Sequence, residues 1–185
     1  FGRKFFFGIV IMMIIVPPQI ISLPLYSNFV HLGLINSKLS MYLPALMGNG
    51  IRSGFMIFIF RQFFKGLPKE IEDSAYIDGC GRFRAFLSIM LPNAKSALLT
   101  VFLFSVVFYW NDYYVSSTFF TNNKTVSLML KNLSSQLSLM LFNDATVQIS
   151  AREQIVWMEA GCLISIMPIL IMYIFLQKYF TEGIE

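Results

Sequence analysis

Residues 61–92 read RQFFKGLPKEIEDSAYIDGCGRFRAFLSIMLP, a polar interval with a fixed internal order set between strongly apolar neighbours. Pro68 stands where a helix can begin, and Glu70, Glu72 and Asp73 follow at once. Proline at the first helical position gives up a donor that no helical carbonyl needs, and negative charge in a first turn suits the positive end of the helix dipole. The pair Asp78-Gly79 should stop this helix, because glycine takes the left-handed conformation without a Cβ penalty. A second helix is expected next, with Phe83, Phe86, Leu87 and Met90 spaced i, i+3, i+4, i+7 along one face. Pro92 marks its end or a kink. A short helix, a glycine bend and an amphipathic helix make a protruding elbow between apolar runs, the shape of a docking part.

The flanking sequence explains why an elbow stands out. Of 185 residues, 56% are hydrophobic and 13% charged, and the mean hydropathy is +0.66. Soluble domains carry about 25% charged residues, so roughly half the usual surface charge is missing. Twenty Phe and eleven Met add to the apolar load, and a membrane protein is the economical reading. Cys80 and Cys162 lie in different settings, elbow and apolar run, with no metal-ligand spacing around them. His31 is solitary and reads as a surface or interface residue. The chain opens on Phe1 without the pattern of a signal peptide, and reads as a fragment whose beginning lies upstream.

Four spans are expected, at residues 5–29, 42–60, 95–118 and 157–179. The first is long enough to cross about 30 Å of hydrocarbon at about 1.5 Å per residue. Pro17-Pro18 and Pro24 should kink the first, and Pro168 interrupts the last. The longer polar segment 119–154 contains an amphipathic piece, VSLMLKNLSSQLSLML, which either lies on the outer surface or packs against the spans. The basic residues then divide by side. Arg3, Lys4, Arg61, Lys65, Lys69, Arg82, Arg84, Lys95 and Lys178 fall on one face of the membrane, against Lys38, Lys124, Lys131 and Arg152 on the other. Nine against four puts both ends and the elbow in the cytoplasm by the positive-inside rule. The connections around Asn36 and Asn123 then face outward, with Trp110, Tyr113, Tyr114 and Trp157 at the outer interface.

The elbow also carries a family likeness. The order acid-small-Ala, two residues, Asp-Gly, nine residues, Ile-x-Leu-Pro resembles the cytoplasmic loop of ABC importer permeases. Here it reads Asp73-Ser74-Ala75, Asp78-Gly79 and Ile89-Met90-Leu91-Pro92. The family's usual Glu-Ala-Ala opening and Gly-Ala are replaced by Asp73-Ser74 and by Cys80 after the glycine, with turn and spacing intact. Leu32-Gly33-Leu34-Ile35-Asn36, Arg61-Gln62-Phe63-Phe64, Trp110-Asn111-Asp112 and the terminal stretch 177–183 extend the likeness over nearly the whole chain. It is similar to the second permease subunit of maltose-type carbohydrate importers. Six spans are usual there, so the resemblance implies that residues 1–185 form a permease domain lacking its first two spans, an all-α membrane bundle. It also implies a family tail continuing past Gly183.

What the resemblance implies for function is concrete. Such a permease hydrolyses nothing and carries no cofactor. It works with a cytoplasmic ABC ATPase dimer, a second permease subunit and an extracytoplasmic solute-binding protein, in the inner membrane of a prokaryote. Residues 65–92 would be the ATPase-coupling loop, with Glu70, Glu72, Asp73, Ser74, Ala75, Asp78, Gly79, Phe83 and Pro92 as its working residues. The helix around Glu70 would enter a cleft of the ATPase, while the stripe from Phe83 to Met90 holds the elbow to the spans.

Two further groups are candidates for the solute path. Arg52 sits mid-span within Gly48-Asn49-Gly50-Ile51-Arg52-Ser53-Gly54. A mid-bilayer arginine costs about 2.5–3.5 kcal/mol on insertion scales, so it should face the bundle interior with Asn49 and Ser53 as one polar strip. It either lines the path or gates it, or it anchors a neighbouring helix. Gly50 and Gly54 match small-xxx-small packing. Asn111, Asp112 and Glu159, near outer span ends, are either solvated interface groups or contacts to a binding protein or gate. An intramembrane enzyme lacks a converging Ser/His pair, HExxH or Asp pair in this sequence. A secondary transporter or channel fits the hydropathy but gives no reason for the elbow. Nucleic-acid binding is excluded, because the basic residues flank spans and form no surface patch.

Overall fold

The computed structural model describes residues 2–121, 125–143 and 150–181. Asn123, Lys124, Glu182 and Gly183, used above, lie outside the described residues. Among the described residues all regular structure is helical. In chain order it runs α1 (Gly2–Ile15), α2 (Pro18–His31), α3 (Leu39–Leu46), α4 (Ser53–Gly66), α5 (Lys69–Ile77), α6 (Arg82–Ala85), a π-helical turn (Phe86–Met90), α7 (Leu91–Asn93), α8 (Lys95–Trp110), α9 (Tyr114–Phe119), α10 (Val126–Asn143) and α11 (Ala151–Thr181). The chain divides into two compact units.

Of the described residues, the first unit gathers 2–17, 44–106 and 174–181. Its framework is the pairing of α1 with α4. At Gly54 the two helices touch backbone to backbone: an added Cβ would lie 2.9 Å from the Cβ of Met13 and 3.1 Å from the carbonyl oxygen of Val10. Further along α4, Phe58 stacks on Phe7 with centroids 6.3 Å apart, and the Arg61 guanidinium lies 3.6 Å from the centre of the same ring. Rising numbers on α4 meet falling numbers on α1, so the helices are antiparallel. Arg3 and Lys4 therefore share an end with Arg61 and Lys65. A cation over an aromatic face contributes about 0.5–2 kcal/mol. Phe55 meets Phe104 edge-on at 5.8 Å, which brings α8 onto α4.

The second unit gathers the described residues of 18–43 and 107–173. Phe119, 2% exposed, is its centre, with the rings of Phe29 at 5.4 Å and Tyr26 at 6.4 Å. Above this cluster the buried Ser22 hydroxyl lies 2.9 Å from the Tyr114 hydroxyl. Asn36, in the left-handed region at φ 63, clasps the end of α9. Its N–H donates to the Phe119 carbonyl at 2.9 Å, and its Oδ1 accepts from the Thr121 hydroxyl at 2.9 Å. The amphipathic piece forms α10 and packs on α11: a Cβ added at Gly161 would meet Leu133 Cδ2 at 3.1 Å and Leu130 Cδ2 at 3.3 Å. Of the two placements left open for this segment, packing on a span is the one observed. The Trp110 indole N–H ties α8 to α11 through the Ser165 carbonyl, 3.0 Å away.

The expected spans are less regular than the hydropathy suggests. Among the described residues one helix, Arg152–Tyr179, is by itself long and apolar enough to cross a membrane. Two bent pairs, Gly2–Ile15 with Pro18–His31 and Arg82–Asn93 with Lys95–Trp110, pass the same test together and raise the number to three. The first expected span divides at Val16-Pro17, because Pro17 biases its predecessor away from the helical region while Pro18 opens α2. Pro24 lies inside α2, and the helix continues through it. The second, residues 42–60, is not one helix: α3 ends at Leu46 and α4 starts at Ser53. Gly48, at φ 76, and the bond from the Asn49 N–H to the Pro44 carbonyl at 2.7 Å form the turn between them. The third ends at Trp110, eight residues short of its expected limit at 118.

Candidate functional site

The elbow is built as its residues require. Glu70 and Glu72 occupy the first turn of α5, and Pro68 precedes it. The end is a Schellman motif: the Cys80 N–H donates to the Ala75 carbonyl at 2.9 Å and the Gly79 N–H to the Tyr76 carbonyl at 3.1 Å. This places Gly79 at φ +77, as its position after Asp78 leads one to expect. The Ser74 hydroxyl donates back to the Ile71 carbonyl at 3.1 Å. The Tyr76 hydroxyl donates to Glu72 Oε1 at 2.7 Å. That hydrogen bond, with a little burial and the Glu72 charge, raises the tyrosine above its ordinary value. The bond is thus intact through neutral pH and is lost as pH rises through the raised value.

Two small residues let the arms close on each other. Ala75 and Ala85 are each 1% exposed, and α5 packs on α6 and on the π turn. Glu70, Asp73, Ser74 and Asp78 point to solvent and Glu72 is half-buried. At the bend Ile77 is 86% and Phe83 77% exposed, two large apolar side chains projecting from the tip.

The second arm departs from the expected amphipathic helix. Residues 86–90 wind as a π turn, with the Leu91 N–H bonded to the Phe86 carbonyl five residues back. Pro92 supplies the physical cause: it has no N–H, and its ring displaces the carbonyl four residues before it, which a wider turn accommodates. The 3.6-residue period therefore does not persist, and no single stripe forms. Phe83 is exposed, whereas Phe86 reaches the ring of Phe64 on α4 at 5.8 Å. Pro92 itself lies in α7, exposed, just before the corner into α8.

The solute-path candidates are placed differently from expectation. Arg52 is not in mid-helix. It stands at φ 58, ψ 22, immediately before α4, exposed at the turn that divides the expected span. Asn49 lies in that turn, and Ser53, first in α4, donates its N–H to Gly50 at 3.1 Å. The three share a turn and no helical strip. Gly50 also falls outside α4, so of the expected glycine pair only Gly54 makes the close helix contact. Asn111 and Asp112 belong to the second unit and serve the local backbone. Asn111 Nδ2 donates to the Val107 carbonyl at 2.8 Å. The Asp112 carboxylate accepts from the Ser116 N–H at 2.7 Å and the Val115 N–H at 3.3 Å, capping α9. The Asp112 carbonyl accepts from the Ser127 hydroxyl, and Lys131 on α10 bonds the Tyr113 hydroxyl. Glu159 is exposed on α11.

Residues 1–185 match the family described as binding-protein-dependent transport system inner membrane component. The chain belongs to this family. Among similar permeases, the arabinooligosaccharides transport system permease protein AraQ of Halalkalibacterium halodurans is 31% identical over 99% of this chain and 60% of its own length. The probable ABC transporter permease protein YurM of Bacillus subtilis is 32% identical, over 99% of this chain and 56% of its own. The sn-glycerol-3-phosphate transport system permease protein UgpE of Brucella abortus is 26% identical, over 98% and 59%. The chain thus spans less than two thirds of the curated permeases it matches. Membership in an inner-membrane permease family accounts for the apolar composition and the all-helical fold together.

In this permease chain the start of α11 is set by its first turn. Ser150 and Glu153 form a capping box at the head of α11. The Ser150 N–H donates to Glu153 Oε2 at 2.7 Å, and the Glu153 N–H to Ser150 Oγ at 3.3 Å. The signal was present as Ser-x-x-Glu before an apolar run, and it moves the helix start from 157 to Ala151. The Asn36 clasp and the Gly161 contact leave no local mark, because their partners lie 85 residues away in the first case and on another helix in the second.

Proposed function

We propose that this chain is part of the membrane-spanning subunit of an ATP-driven importer for sugars or oligosaccharides, and that residues 65–92 couple a cytoplasmic ATPase to it. The observation that carries the proposal is the elbow's tip. Ile77 and Phe83 project, 86% and 77% exposed, around a bend fixed by the Schellman motif at Gly79. Exposed large apolar groups on either side of a fixed bend, next to the acid-bearing α5, suit a cleft in a partner protein. In this reading the ATPase subunits grip α5, and their closure on ATP moves the elbow as a lever. The ATP-bound ATPase must prefer one arrangement of the permease helices, since only differential affinity shifts a conformational equilibrium. A second permease subunit completes the path, and an extracytoplasmic binding protein delivers the solute. ATP hydrolysis belongs to the ATPase, and no cofactor is needed on this chain. Both ends and the elbow face the cytoplasm. Arg3, Lys4, Arg61 and Lys65 at one end of the α1–α4 pair support that orientation.

The solute class rests on relatives such as the arabinooligosaccharide permease, and the turn bearing Asn49, Arg52 and Ser53 is the candidate path segment. A second reading, import of another small polar solute, is favoured by the sn-glycerol-3-phosphate permeases among the relatives. The test is purification of the full-length subunit from its native membrane. Retention of an ABC ATPase, with hydrolysis stimulated by a loaded binding protein, is the expected result. Isolation without any ATPase would overturn the proposal. The sugar or other ligand that stimulates hydrolysis separates the two readings.

A further inference from the structure

We infer that Asn93 is a positioning residue, one that stiffens the corner joining the elbow to α8 so that a push on the elbow moves that helix. The inference rests on the coupling role proposed above. Residues Arg82–Asn93 meet Lys95–Trp110 at 71°. Ala94, fully buried at φ −88 and ψ 17, forms the corner. Its N–H donates to the Leu91 carbonyl at 3.1 Å, and its carbonyl accepts the Leu98 N–H at 2.9 Å, which starts α8.

The stretch before the corner is where a helix would ordinarily be weakest. The π turn replaces the i→i+4 ladder over residues 86–90, and Pro92 contributes no donor. Asn93 supplies one. Its Nδ2 donates to the Ile89 carbonyl at 2.8 Å, reaching from the last residue before the corner back into the wide turn. At the turn's other end Phe86 rests on Phe64 of α4. The wide turn is thus pinned by a ring contact at its start and by a side-chain hydrogen bond at its close. A lever that yields at this point would let the ATPase cycle without moving α8.

The experiment uses the full-length permease with its ATPase and binding-protein partners, reconstituted in liposomes. Asn93→Leu keeps the bulk and removes the donor. Asn93→Ser restores one, because serine hydroxyls back-bond to the carbonyl four residues earlier. The expected result for Asn93→Leu is an approximately fivefold fall in solute taken up per ATP hydrolysed, the factor that loss of one side-chain hydrogen bond supplies. ATPase retention stays at the unmodified level. Spin labels at Arg82→Cys and Leu98→Cys, with every other cysteine of the full-length permease replaced by serine, should show a broadened distance distribution in Asn93→Leu. Asn93→Ser should restore both the ratio and the narrow distribution. An unaltered ratio and narrow distribution in Asn93→Leu overturns the inference, as does an Asn93→Ser variant that behaves like it. Failure of the unmodified permease to retain an ATPase is a different result, and it removes the coupling role itself.

Discussion

Gly79 and Gly54 both resist most side chains, for opposite reasons. A Cβ at Gly79 meets nothing within 4 Å, but the residue sits at φ +77. The cost of substitution there is conformational, about 1–2 kcal/mol for a side chain that resists the left-handed region. Asparagine tolerates that region and valine does not. Gly79→Asn should therefore leave thermal unfolding and uptake per ATP near the unmodified values. Gly79→Val should lower both, and a Val variant with the unmodified ratio would show that the bend is not part of the lever. Gly54 has an ordinary φ, and there the obstacle is Met13 Cβ at 2.9 Å. The sequence displays both glycines equally. Asp78-Gly79 is legible because a helix end is a local event. Gly54 was legible as a packing position, though its expected partner Gly50 lies in a turn.

At the scale of the element, α11 shows how far a local signal reaches. Its 31 residues run unbroken through Pro168 and begin at a capping box. Ser150→Ala removes both hydrogen bonds of the serine hydroxyl and should lower stability by about 1 kcal/mol, measured as thermal unfolding of the purified subunit in detergent. Ser150→Thr, which keeps both the capping oxygen and the hydroxyl donor to Glu153, should not. The α5 helix and its Gly79 end could be read from the sequence for the same reason: charge, proline and glycine act within one turn. The π turn could not. Phe83, Phe86, Leu87 and Met90 fit a 3.6-residue period, and only the backbone reveals that the turn before Pro92 is wider. Likewise Gly48-Asn49-Gly50 are strong turn formers, but an apolar surround invited a continuous span through Arg52. The break won because glycine takes φ 76 readily and the Asn49 N–H finds the Pro44 carbonyl.

For the molecule as a whole, orientation is the property on which the coupling proposal turns. Cys80, half-buried beside Gly79, reports the elbow's side of the membrane. With every other cysteine of the full-length subunit replaced by serine, a membrane-impermeant maleimide should modify Cys80 in inside-out vesicles and leave it untouched in intact cells. Modification in intact cells would place the elbow outside and end the coupling proposal. The charge asymmetry that motivates this expectation was fully visible in the sequence. The arrangement of the α1–α4 pair, with Arg61 over Phe7, needed the fold.

The tie between Trp110 and Ser165 offers a way to watch these helices without any label. The chain has two tryptophans, and Trp157 is 59% exposed, whereas Trp110 is half-buried with its indole N–H held by the α11 backbone. In a full-length subunit in which Trp110 is the one tryptophan retained, the subunit's ultraviolet emission reports that side chain. Its colour then becomes an optical gauge of the seam between α8 and α11, redder whenever the seam admits water.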